Sequence, residues 1–126
     1  MLWGEEEMKI TDRASSTPTG LHTMPSDGAS TVRHRLSVPV GACPFSRNPI
    51  RGWIQIQYIP AGKVLEVVSL HAYILWCAGA GEGAPQSAEG IAARVAADCT
   101  AALGTPARVM LVLLVRPGPQ RLVVQA

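Results

Sequence analysis

Aromatic residues are scarce, only 5% of 126 residues. Charged residues are scarce too, at 16%. With so few large rings, Ala, Val, Leu and Ile must supply most of the buried surface, so one subunit can build only a thin core. Long apolar runs are also missing. The longest, Val109 to Val115, is far short of the roughly 20 residues that a membrane helix requires. The three cysteines, Cys43, Cys77 and Cys99, are an odd number and show no CxxC spacing. That argues against a disulfide framework and for reduced thiols in a cytoplasmic protein. The start, MLWGEEEMK, is acidic where a signal peptide would be basic, so no secretory leader is expected. A net charge of +2 is no footprint for nucleic acid, and no nucleic-acid or membrane partner is expected.

That small total hides a segregation. Residues 1–31 hold Glu5, Glu6, Glu7, Asp12 and Asp27 against Lys9 and Arg13, a net of −3. Residues 32–126 hold nine Arg and Lys against Glu66, Glu82, Glu89 and Asp98, a net of +5. The first segment shows no hydrophobic period and is rich in Ser, Thr, Gly and Pro. It reads as a flexible or loosely docked acidic arm, residues 1–31, ahead of a basic folded domain, residues 32–126. The scarcity of carboxylates in that domain makes each one informative.

Periodicity sets out the elements. Thr31 to Val40 reads as a strand, confined by Pro39 to a sheet edge or ended by it. Gly52 to Ile59 is a clear strand, with Ile54, Ile56 and Tyr58 on one face and Trp53, Gln55 and Gln57 on the other. Ser69 to Trp76 suits a short helix capped by Ser69. Ser87 caps a second helix that runs to Leu103 and stops at Gly104. Arg108 to Val115 and Gln120 to Gln125 read as a closing pair of strands around Pro117-Gly118-Pro119. Strand, strand, helix, helix, strand, strand predicts an α+β layer, an antiparallel sheet with both helices on one face. Its open edges invite another copy of the chain.

Cys43 lies in GACPFSRNP, a loop flanked by Arg33, Arg35, Arg47 and Arg51. Positive surroundings favour a thiolate, so Cys43 is the candidate nucleophile; its bland alternative is a small buried hydrophobe. Cys77 and Cys99 sit at helical positions suited to packing. Glu89 falls in the first turn of the second helix, where a carboxylate is also welcome to the helix dipole. Glu66, between Leu65 and Val67, needs a partner, a solvated face or a ligand. Cys43, His34 and His71 are metal-ligating types, but no close pair anchors a site, so no metal is expected.

The segment GACPFSRNPIRGWIQIQYIPAGKVLEVVSLHAYI resembles the core of the 7-cyano-7-deazaguanine reductases, the nitrile reductases of queuosine biosynthesis. Cys43-Pro44 matches the family's nucleophile and its following proline. Tyr58-Ile59-Pro60 ends the same alternating strand. Glu66, Ser69, Leu70 and Tyr73 match part of the family's NADPH signature, and Glu89 falls near its substrate-binding glutamate. The resemblance covers roughly residues 32–124. It implies the tunnelling fold (ββααββ) in a homo-oligomeric ring, pentameric or decameric. It also implies a Cys43 thioimide with a 7-deazapurine nitrile, bound by Glu89 and Glu66, in a tRNA-modification pathway. NADP(H) would be the cofactor, touching Ser69. The pattern departs from the family at four kinds of position. Ile50 replaces the proton-donating aspartate, Val68 and His71 replace two lysines, Ala78 an arginine, and Ala88 a histidine. The general acid would then be missing or supplied from elsewhere, His34 and His71 being the candidates. Two alternatives share the resemblance: an amidinotransferase-like relative using the same thioimide, and a non-catalytic purine- or pterin-binding homologue.

Overall fold

A computed structural model describes residues 20–42, 49–79, 83–85, 87–115 and 120–126. Four long strands form one antiparallel sheet in the order β2-β3-β5-β6. They are β2 (Val32–Ala42), β3 (Pro49–Tyr58), β5 (Arg108–Val115) and β6 (Gln120–Gln125). Between the two hairpins run α1 (Val67–Ala78) and α2 (Ala88–Leu103). A two-stranded ribbon pairs β1 (Thr23–Pro25) with β4 (Lys63–Leu65). The strand–strand–helix–helix–strand–strand order and the antiparallel α+β layer are therefore as expected. Pro39 lies in β2, an outer strand of the sheet, where a missing N–H is tolerated.

The alternation of β3 divides the sheet into two faces. Ile54 and Ile56 are fully buried toward the helices, with Leu111 and Val109 opposite them on β5. Against this face pack Leu70, Tyr73 and Ile74 of α1, and Val95, Cys99 and Leu103 of α2. Cys77 and Cys99 are free and buried. Burial pushes the Cys77 thiol up and the Cys99 thiol up to about 12. Both are inert packing residues, as their positions implied. No helix among the described residues is long and apolar enough to cross a membrane.

Two expectations change. The segment before Val32 is not wholly an arm. Leu21 is fully buried in the core, His22 O accepts from Glu66 N, and β1 pairs with β4. Residues 20–31 join the fold because one leucine and one strand register tie them down, a tie that composition could not show; residues 1–19 lie outside the described residues. The second change is the cap of α1. The helix begins two residues earlier than Ser69, and Glu66 is its N-cap. Ser87 and the left-handed Gly104 cap α2 as expected.

Candidate functional site

Glu66 is extended, and its carboxylate accepts from Val68 N at 2.7 Å and Ser69 N at 2.8 Å. Each oxygen thus satisfies one of the orphan amides of the first turn. Burial pushes the Glu66 carboxyl up, but these amide hydrogen bonds and nearby His22 outweigh it and leave the group below its ordinary value. Ser69 Oγ donates to Glu66 O and accepts from His22 N. The apolar run around Glu66 thus has a local explanation: the carboxylate and the serine staple the segment at residue 22 to the start of α1.

Glu89 stands in a different state. Ser87 Oγ already caps α2, accepting from Gly90 N at 3.0 Å. Glu89 is exposed in the first turn, with no hydrogen bond or ion pair among the described residues. Asp98, the remaining described carboxylate after residue 31, is occupied. It accepts from Tyr73 Oη at 2.8 Å and from Arg94 Nε at 2.9 Å, joining the two helices. The Arg94 guanidinium also lies over Trp76. Among the described carboxylates after residue 31, Glu89 is the one whose oxygens are not engaged within the chain.

Topology decides which of these groups can meet. Tyr73 touches Asp98 and Trp76 touches Arg94, so α1 and α2 run antiparallel. Lys63 Nζ reaches Ala102 O, and Gly104 leads into β5 opposite Gln57. The C-terminus of α2 and the N-terminus of α1 therefore lie at the Tyr58 end of the sheet. The first turn of α2, about 24 Å away, points to the other end, where Ala42 pairs with Pro49 and Ile50 with Val115. The 43–48 connection springs from that end. Cys43 itself lies outside the described residues. Within the chain, then, the first turn of α2 shares an end of the sheet with Ala42 and Pro49, the described residues nearest Cys43 in sequence. Glu66 and Ser69 sit roughly 30 Å away, the length of β3.

His34 is also remote from Ile50. It pairs with Ile56 across the β2–β3 ladder, and its Nε2 lies 2.9 Å from Tyr58 Oη. Tyr58 Oη also accepts from Leu65 N at 2.8 Å. His71 is exposed one turn into α1. Neither histidine stands beside Ile50 within the chain. The His34–Tyr58–Leu65 linkage carries no sequence signal beyond two ordinary strand residues, because only register makes them neighbours. Tyr58→Phe would leave the buried Leu65 amide unpaired. It is expected to cost about 1–3 kcal/mol, read by chemical denaturation.

Two groups make stability depend on pH. Burial holds His34 below its ordinary 6.5, so the unfolded chain binds the proton first. Its contribution is whole above 6.5 and is lost as pH falls from there through the folded value. Glu66, held below its ordinary 4.5, contributes fully above 4.5 and loses that as pH falls through its folded value. Tm should rise from pH 3 to 7 in two stages. His34→Gln is expected to remove the upper stage and Glu66→Gln the lower. A Tm flat across this range would contradict both assignments.

No protein-family profile matches the sequence, and no curated protein matches it. Among solved structures, the fold is similar to the crystal structure of the archaeosine synthase QueF-Like in the apo form. The TM-score is 0.59 at 21% identity, over 79% of this chain and 94% of that one. The likeness shows the fold: a mixed α+β tunnelling-type fold with an antiparallel sheet and two helices.

Proposed function

We propose that this chain is a thioimide-forming enzyme acting on a 7-deazapurine nitrile. The observation that carries the reading is Glu89. It is a carboxylate with no partner among the described residues, at the end of the sheet where Ala42 pairs with Pro49, on a helix whose cap is already supplied by Ser87. The Cys43 thiolate would add to the nitrile carbon. The carbon–nitrogen triple bond becomes a double bond, and the nitrogen takes a proton. Glu89 would accept from the donor edge of the base, a charged acceptor facing two N–H groups. The resemblance around Cys43-Pro44 and the fold shared with an archaeosine synthase support this assignment.

The first turn of α1 does not fit the phosphate of NADPH. Val67 and Val68 are exposed there, Ser69 Oγ is engaged twice, and the capping carboxylate of Glu66 is itself an anion. No hydride step is derived for these residues. This favours the second reading, in which ammonia attacks the thioimide carbon and expels the Cys43 thiolate, leaving an amidine. Oligomerisation belongs to either reading. Glu66 could approach a Cys43 loop only in a neighbouring copy, and β2 and β6 are outer strands of the sheet. Leu122 and Val123 on β6 are exposed. A homo-oligomeric ring is the arrangement we propose.

Incubation with 7-cyano-7-deazaguanine should add the mass of the nitrile to the intact protein and raise its near-ultraviolet absorbance. Ammonia-dependent release of an amidine would support the second reading, and NADPH consumption the reductase. Binding without an adduct would leave a non-catalytic homologue. Glu89→Ala should weaken binding about 10-fold or more, the value of a charged hydrogen bond, without lowering Tm.

A further inference from the structure

We infer that the outer face of the sheet, away from the helices, carries an oxyanion site seated on Arg108 and Gln57 that takes a phosphate group. Register places Arg33 and Arg35 of β2, Arg51 of β3, Arg108 of β5 and Arg121 of β6 on this face. They share it with Trp53, Gln55 and Gln57, and no Asp or Glu occupies any of its strand positions. Five guanidinium groups and no carboxylate make a positive field on one surface.

The field has a seat. A cavity of about 290 Å³ is lined by Thr31, Gln57, Tyr58, Thr105 and Arg108, among others. A second of about 170 Å³ adjoins it and shares Gln57 and Arg108. These two residues face one another across the β3–β5 ladder. Arg33 Nε donates to Gln57 Oε1 at 3.2 Å, which occupies the acceptor end of that amide and leaves its NH₂ end to donate. Arg108 is exposed and has no acceptor among the described residues. Arg35, by contrast, is stacked 3.9 Å over Trp53. Among the residues that line the first cavity, Arg108, Gln57, Thr31 and Thr105 carry a guanidinium, an amide and two hydroxyls, groups able to donate to a tetrahedral dianion. Its small volume suits one phosphate group rather than a long polyanion.

The site is independent of the proposed nitrile chemistry. Arg108 and Val115 stand at opposite ends of β5, roughly 23 Å apart along the strand. The adjoining cavity, walled by Gln55, Met110 and Gln125, offers room for an organic body attached to the phosphate.

Titration calorimetry with inorganic phosphate and with adenosine monophosphate at low ionic strength tests the site, with amide chemical shifts mapping it. Saturable binding is expected, with shifts concentrated at residues 57–59 and 105–109. Arg108→Gln should weaken it at least 10-fold and Arg108→Lys by about 3-fold, because lysine lacks the bidentate fork. Arg121→Gln, on the same face but remote, should change it less than 2-fold. Tighter binding of the nucleotide would assign the second cavity to an organic body; equal affinities would assign the site to free phosphate. Lack of saturation, equal losses in Arg108→Gln and Arg121→Gln, or shifts confined to the helix N-termini would overturn the proposal. Arg108→Gln should leave the Cys43 adduct intact, so either idea can fail alone.

Discussion

Gly52→Ala is expected to cost about 3 kcal/mol, the upper part of the range for forcing atoms into a packed position, and to lower Tm by roughly 10–15 °C. A Cβ at this position would collide with Val112 O on the neighbouring strand and lie 2.9 Å from the Val112 carbonyl carbon and 3.0 Å from Leu113 Cα. These are backbone atoms of the central β3–β5 pair, so no side chain can swing aside. Gly52 also pairs with Val38, next to the register shift between Val38 and Gly41. A bulge there bends the hairpin, and Gly52 lets β5 follow the bend. The substitution should therefore displace the strand ends that hold residues 43–48, and reduce adduct formation beyond the loss of folded protein. Gly28→Ala, where the nearest atom to a Cβ is Ser26 Oγ at 3.7 Å, should stay within about 0.5 kcal/mol. Thermal denaturation of the two variants decides it: equal Tm values would show that the close approach is not a constraint.

Cys43→Ala is expected to abolish the mass adduct with 7-cyano-7-deazaguanine completely while leaving Tm unchanged. The carbon–sulfur bond cannot form without the thiolate. Cys77 and Cys99 cannot substitute, since both are buried with thiol pKa values pushed upward. An adduct that survives Cys43→Ala would overturn the nucleophile assignment. Ile50→Asp sharpens the question. Ile50 pairs with Gly41 and Val115 at the end of the sheet nearest the 43–48 connection, where the resemblance implies a proton donor. General acid help is worth about 10² to 10⁴ in rate. A gain of that order in thioimide turnover would show that the acid alone had been lost. An unchanged rate would place proton delivery elsewhere.

Both predictions rest on features with unequal traces in the sequence. Ile54, Ile56 and Tyr58 announced their face by alternation, and Ser87 and Gly104 announced the ends of α2, because these signals act within a few residues. Glu66 was conspicuous for the right reason, a charge in an apolar run. Its partners are amides two and three residues away, so an acidic N-cap at Glu66 is itself a local signal. Leu21 gave no warning: a single leucine in a polar segment has no period, and only the closed core shows where it goes.

Local chemistry along the chain thus settled the α+β order, the thiols suited to packing, and the scarcity of carboxylates that singled out Glu66 and Glu89. Tertiary structure set those two apart. It used Glu66 to cap α1 at the Tyr58 end and left Glu89 without a partner among the described residues at the opposite end, where Ala42 pairs with Pro49. It also aligned Arg108 with Gln57, residues 51 positions apart. Hydrophobic period and capping are short-range and can be read from neighbours in the chain. Strand register and helix direction are fixed only when the whole apolar face is buried at once, and those decide which polar groups meet.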